Sequence, residues 1–465
     1  MSYFYPMNRK LQLLFLFVII SNALFAQNYK HDSVTLKQMS NHILANYDCY
    51  KDLNYLCKQI GNRISGSQQA TKAVEWGKKT LEGTGCSTVF LQEVMVPHWV
   101  RGKEEASITT KKGNKISLKI SSIGNAIGTG ENGLQAPILK VNNMDELKRM
   151  NAKEVKGKIV FFNFKFDQLN INTFDSYGPC VYYRWASPSE ASKLGAVGVI
   201  IRSVSSAFDD KPHTGSLHYD EKQPAIPAVA ISNLAADDLE KMIEQKQVQN
   251  VFIKTTCEML ADVKSYNVVA EIKGSELPNE IIVFGGHLDS WDIGEGAHDD
   301  GAGVVQSIEV IRTFIKLGIK PKRTIRAVLF MNEENGLRGG TKYAELAENN
   351  NEKHIVGIES DAGGSTPFGF SMTMPMEQRN KIKSWSSLFL PYNIHDFDRE
   401  GGGADISPLK KKFGTPVMEL MPDSQRYFDM HHSDNDVFEN VHRRELCLGG
   451  FAMTAMVYMI SQYGL

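Results

Sequence analysis

From about Asp262 to the C-terminus, apolar runs of strand length alternate with runs of helical period. Glu280–Gly286 (EIIVFGG), Thr324–Phe330 (TIRAVLF), His354–Ser360 (HIVGIES) and Thr415–Met421 (TPVMELM) read as strands. Between the first two, Asp300–Gly318 sets Val304, Ile308, Ile311 and Ile315 on one helical face and stops at Gly318. Thr341–Glu348, Glu377–Phe389 and Glu439–Tyr463 read as further helices. A chain with this alternation buries its strands in a mainly parallel central sheet flanked by helices on both faces, an α/β fold. Sites in such sheets gather at the carboxyl ends of the strands.

Those ends are where the polar residues lie. After EIIVFGG come His287 and Asp289, and twelve residues beyond His287 lies Asp299, just before a helix. After TIRAVLF come Glu333 and Glu334, after HIVGIES comes Asp361, and after the last strand and a loop come His431 and His432. Each has an ordinary explanation on its own. A lone His is usually a satisfied polar residue, Asp before a helix usually caps it, and a Glu pair usually lies on a solvated face. Their joint placement at the strand ends of one sheet is what argues for a site. Two adjacent carboxylates at the end of a buried strand need a compensating partner, because desolvation and mutual repulsion both oppose ionisation. Two His and three carboxylates can hold two zinc ions if one carboxylate bridges. Nitrogen and oxygen ligands without thiolate suit a catalytic, water-bearing site. Chain alternation would point Glu333 and Glu334 in different directions, giving them different roles. There is no HExxH helix and no GxSxG elbow, so neither a thermolysin-type site nor an acyl-enzyme nucleophile is indicated.

The rest of the chain is quieter. Arg9 and Lys10 precede the apolar stretch Leu11–Ala26, which ends at a small residue and gives way to a polar segment. This reads as a secretory signal peptide over residues 1–26, because the apolar core is short for a membrane span. Leu24 stands where a small residue is usual, so the cut position stays open. Export to a secreted or periplasmic location follows, with no stable membrane span after cleavage. Residues 33–84 look helical. Thr88–Ile253 has short β-rich runs, among them Lys156–Phe164, Gly195–Val204 and Pro224–Ser232, with a short helix at Leu234–Gln245 and no obvious acid/base cluster. A net charge of -1 disfavours nucleic acid as a partner. None of the six cysteines forms a CxxC pair, which argues against a thiolate zinc cluster. Cys49 with Cys57 is one candidate disulfide in an exported chain, and buried free thiols are the alternative.

The segments GGHLDSWDIGEGAHDDGAG, EEN, ESDAG and HHSDND, with GNRISGS near the start, resemble the zinc-dependent M28 peptidases. Within that family the chain is most similar to the plasma glutamate carboxypeptidase branch, also called carboxypeptidase Q. The resemblance covers most of the mature chain. It implies an N-terminal part of the peptidase domain at 27–110, a β-rich protease-associated-type insertion at 111–258, and the main catalytic part at 259–465. It implies two Zn2+, with His287 and Asp361 on one, Glu334 and His432 on the other, and Asp299 bridging. Glu333 would be the general base to a metal-activated water. Asp289 would orient the His287 imidazole, and Asp436 would act similarly. One departure is Glu400, in REGGGAD, where the branch carries a His. The tail HHSDND also lacks a Thr often found after its Asp. The implied activity is hydrolysis of dipeptides or short peptides, as a dipeptidase or aminopeptidase. Arg399, Arg426 or Lys410 would serve a true carboxypeptidase, and a non-catalytic binding ectodomain is the alternative of another class. The insertion would cap the cleft, restrict substrate length or form a homodimer contact.

Overall fold

The computed structural model describes residues 30–465. The signal-peptide assignment at 1–26 lies outside them. Seven of the strands form one sheet, here numbered in chain order: β1 Thr88–Val100, β2 Glu258–Ile272, β3 Leu277–His287, β4 Arg323–Phe330, β5 Lys353–Glu359, β6 Pro367–Thr373 and β7 Val417–Pro422. Their spatial order is β1-β2-β4-β3-β5-β7-β6. The four central strands, β4, β3, β5 and β7, run parallel. The edges are antiparallel: β1 and β2 on one side, β6 on the other.

Both faces are covered. On one, helices Gln68–Gly83, Ala302–Lys316 and Arg443–Tyr463 build a core around Phe284, Val305, Leu329 and Met456. On the other, Arg338–Asn349 and Ser407–Phe413 pack Tyr343, Ala344 and Leu409 against Val283 and Val328. Central strands buried on both faces explain why EIIVFGG and TIRAVLF read as continuous apolar runs rather than as alternation. Arg443–Tyr463 is long and apolar enough to cross a membrane, but 83% of it is buried within the fold, as a core helix is.

Several elements differ from their sequence pattern. The closing helix begins at Arg443, not Glu439, because Phe438–Asn440 form a separate 3-10 turn. The Phe438 N–H of that turn is held by the Glu295 carboxylate at 2.9 Å. The expected helix Glu377–Phe389 is broken into Met376–Lys383 and Ser386–Phe389. At the break, Ser384 Oγ donates to the Lys381 carbonyl at 2.6 Å, competing with the helical ladder. All six cysteines are free and buried. The neighbour of Cys49 is Cys447, with sulfurs 3.6 Å apart, rather than Cys57.

Residues between β1 and β2 form two smaller sheets. One has four strands. The other has five, of which Ile138–Val141, Ile159–Phe162, Gly198–Arg202 and Ala228–Ile231 are parallel. The segment is less purely β than its texture suggests. Besides the expected helix, observed at Asn233–Glu244, it contains the 19-residue helix Phe174–Ser192. The sequence hid that helix behind Gly178, Pro179 and Pro188, which read as breakers.

Candidate metal centre

β3 ends at His287, and its ring is fixed from both sides. Nδ1 lies 3.0 Å from the Asp289 carbonyl, which accepts its N–H. Nε2 lies 3.0 Å from Asp299 Oδ1 and 3.3 Å from Asp361 Oδ1, at the end of β5. A second group meets on the other oxygen of Asp299. His432 Nε2 is 3.1 Å from Asp299 Oδ2 and 3.2 Å from Glu334 Oε2. His431 Nε2 is 3.4 Å from the same Asp299 oxygen, its ring stacked on His432 with centroids 3.5 Å apart. All five residues named as ligands therefore converge, and Asp299 presents one oxygen to each group.

The neighbouring Asp300 does the capping work that a sequence rule would assign to either residue. Its Oδ1 accepts the Gly303 N–H at 2.9 Å and its Oδ2 the His287 N–H at 3.0 Å. Gly286 makes room for this carboxylate, since a Cβ there would stand 2.3 Å from Asp300 Oδ2.

Glu333 and Glu334 are separated differently from the expectation. They do not continue the alternation of β4; the strand ends at Phe330 and the chain enters a turn at 333–336. Asn332 starts it with a φ of +72°, a conformation Asn tolerates well. The Asn332 side chain donates to Ser65 Oγ at 2.8 Å and to Asn335 Oδ1 at 2.6 Å. The turn aims Glu334 at His432, with its other oxygen accepting the Trp291 N–H at 3.2 Å. The Glu333 carboxylate has no hydrogen-bond partner among the described residues.

The two supporting acids act on backbone rather than on imidazoles. Asp289 orients His287 through its carbonyl, while its carboxylate accepts the N–H groups of Asn332 at 2.6 Å and Glu333 at 3.1 Å. Asp436 does not reach His432. It accepts the N–H groups of His298 at 2.7 Å and Asp299 at 3.1 Å. His432 is instead backed by the segment between β1 and β2: its Nδ1 faces the Thr214 carbonyl at 3.4 Å and Arg184 Nη1 at 3.1 Å. Sequence reading missed both residues, because no local pattern ties positions 184 and 214 to 432. It also missed the work of Arg63 in GNRISGS. That buried guanidinium donates to the carbonyls of Leu288 at 2.7 Å, Glu295 at 2.6 Å and Gly296 at 2.8 Å, fixing the ligand-bearing loop.

Charge in this site is unbalanced. Burial pushes the Glu333 carboxyl up to about 8; His287 opposes the rise and Asp361 and Asp299 add to it. Burial, with repulsion from Asp299, raises Glu334 well above the usual carboxylate range. Asp361 is raised too, by burial against the pull of His287. Asp299 is the exception. Burial would raise it, but His287 and His432 outweigh that and hold it well below its usual value. Asp299 Oδ2 is nonetheless buried without a geometrically sound hydrogen bond. Buried acids outnumber buried bases here, and nitrogen and oxygen donors in two groups share one carboxylate. That is a donor set fit for divalent cations of the zinc type.

Comparison with known proteins agrees. The family model described as Peptidase family M28 matches residues 267–456. Carboxypeptidase Q from Xenopus laevis is 36% identical over 409 residues, covering 88% of this chain and 85% of that protein. Among solved structures, the peptidase M28 precursor of Shewanella amazonensis superposes with a TM-score of 0.88 at 31% identity, covering 93% of this chain and 97% of that one. A zinc aminopeptidase from Bacillus subtilis shares the fold at 20% identity and a TM-score of 0.64, covering 88% of this chain and 94% of that one. With 36% identity to the Xenopus laevis carboxypeptidase Q across most of both chains, and its strand-end acids and histidines brought together as above, this chain belongs to peptidase family M28.

Proposed function

We propose that the chain is an exported di-zinc exopeptidase that hydrolyses dipeptides or short peptides. The observation that carries this reading is Asp299, whose two oxygens face two separate ligand groups, His287 with Asp361 and His432 with Glu334. In this reading His287, Asp299, Glu334, Asp361 and His432 would hold the two ions. When bound, zinc supplies Lewis acidity, lowering the pKa of water to about 7 and polarising a carbonyl.

The protein's own groups supply the rest. Glu333, free of internal partners, takes a proton from the attacking water and returns it to the leaving amine. Asp289 holds both ends of this device, His287 through its carbonyl and the Glu333 backbone through its carboxylate. Asp436 fixes the backbone from which Asp299 projects. Arg63 keeps the loop between His287 and Asp299 from rearranging when charge enters the site.

A dipeptidase or aminopeptidase suits this surface better than a carboxypeptidase. Arg426 and Lys410 are exposed, and Arg399 is paired with Asp396 at 2.9 Å. Of the three, Arg399 is therefore committed to a protein carboxylate rather than free for an α-carboxylate. A hydrolysis panel with free and blocked termini separates the two modes. The segment between β1 and β2 is read as a protease-associated-type insertion, and the first 26 residues as the leader that directs export. N-terminal sequencing of protein recovered from the medium or periplasm checks the latter.

Glu333→Gln is expected to keep its zinc and lose about 10²–10⁴-fold in turnover. Glu334→Ala is expected to lose zinc itself, as measured by elemental analysis. Wild-type-like turnover in Glu333→Gln would overturn the base assignment. A protein that stays metal-free after zinc supplementation, and cleaves no short peptide, would return it to the binding-ectodomain class.

A further inference from the structure

A cavity of about 160 Å³ opens beside the metal centre, reaching Ala362, the residue after Asp361. Its walls are apolar: Phe174 from the insertion, with Phe368 and Met421 from the sheet. Two acids line it, Glu419 on β7, in its wall, and Glu400, exposed at its mouth. The residues paired with Glu419 across the sheet are Glu359 and Ser371. Glu359 is already used, accepting the N–H groups of Asp405 at 3.2 Å and Ile406 at 3.0 Å. Glu419 has no hydrogen bond or ion pair with any described residue. Gly401, at the cavity wall, leaves the approach open, since a Cβ there would stand 2.3 Å from Ser371 Oγ and 4.0 Å from Glu419 Oε2.

The other charges at the cavity do not neutralise Glu419. Arg399 pairs with Asp396 and lies over the Phe368 ring, 5.3 Å from its centroid. Glu400 is a second acid, 86% exposed at the mouth, with Arg379 3.9 Å away. A cavity with apolar sides and an unpartnered acid matches a side chain with an aliphatic stem and a cationic end. An α-ammonium offers the same charge but no stem to cover the apolar walls.

We propose that this cavity is the specificity pocket for a basic side chain, lysine or arginine, beside the scissile bond, with Glu419 as the partner of its cation. The proposal rests on the di-zinc peptidase reading of the adjoining site and names its substrate class. Burial, with the nearby Asp361, pushes the Glu419 carboxyl up to about 8; a cationic partner draws such a group back to its ionised form.

The test uses zinc-loaded enzyme and paired dipeptides carrying lysine or norleucine, which differ by the terminal ammonium, at each position in turn. The expected result is a kcat/KM favouring lysine by about tenfold or more at one position. In Glu419→Gln that lysine-to-norleucine ratio falls to near one. A ratio near one in the wild type overturns the proposal, as does an undiminished ratio in Glu419→Gln. Both members of each pair carry the same α-ammonium, so the ratio reports the side-chain cation alone. Calorimetric binding of the same pairs to zinc-loaded Glu333→Gln gives the preference without turnover. Zinc content and norleucine hydrolysis report on the peptidase reading separately, so its failure is distinguishable from that of the pocket.

Discussion

Two mainly parallel sheets in this molecule end their strands in polar residues, and only one of them gathers acids and imidazoles into a cluster. In the segment between β1 and β2, Asn163, Arg202, Ser203 and Ser232 stand at the strand ends. Arg202 donates to Asn163 Oδ1 at 2.7 Å and pairs with Asp237. Ser203 Oγ donates to the Ile231 carbonyl at 2.7 Å, and Ser232 Oγ caps the next helix by accepting the Ala235 N–H at 3.0 Å. Donors meet acceptors, cation meets anion, and little is left over. In the seven-stranded sheet, the strand ends bring together Asp289, Asp299, Glu333, Glu334 and Asp361 around three imidazoles. Polar strand ends alone therefore do not mark a site. An excess of one charge, which the protein itself does not neutralise, does.

The largest effect expected from this contrast is on stability after chelation. Burial pushes Glu333 up to about 8 and Asp436 up to about 7. Their folded forms hold protons to higher pH than the unfolded chain, whose carboxyls titrate near about 4–4.5. The folded state then binds more protons across roughly pH 4.5 to 8, so its stability falls as pH rises through that window. Asp299, held low, acts in the opposite sense below about pH 4, and His432, held at about 4 by burial, does so between about pH 4 and 6.5. Denaturant midpoints of chelated protein should drop from about pH 6.5 to pH 8, and zinc should flatten the profile. A chelated protein equally stable at both would remove the charge excess as the distinguishing feature.

A smaller effect tests the link between the two regions. Arg184→Met removes the guanidinium that donates to the Thr214 carbonyl behind the His432 ring and is expected to weaken zinc affinity about 10–100-fold, read by competition with a chelating dye. The smallest is Arg202→Met. It breaks the balanced strand ends of the segment between β1 and β2 and is expected to cost about 1–3 kcal/mol of stability. Zinc affinity should be unaltered. If Arg202→Met also released zinc, the two regions would have to be treated as one electrostatic unit.

The sequence was most legible where a residue's neighbours are also its neighbours in sequence. The parallel centre of the sheet followed from apolar runs bounded by helical periods, because a strand buried on both faces must be apolar throughout. The ligand candidates followed from their position just past those runs. Glu333 and Glu334 were recognisable as two roles, but the means of separating them was not strand alternation. It was a turn started by Asn332 in the left-handed region and held by Ser65, about 270 residues earlier.

By itself, the sequence determined the α/β architecture, the identity of the converging acids and histidines, and the need for a compensating cation. Periodicity and charge are local properties, and the cost of burying charge does not depend on how the chain folds. Tertiary structure alone decided what backs His432, that Asp289 and Asp436 bond to backbone, and that Glu419 is left unpartnered beside an open cavity. Each of those depends on the direction of a side chain and on the distance to a residue far away in sequence, and no local pattern encodes either.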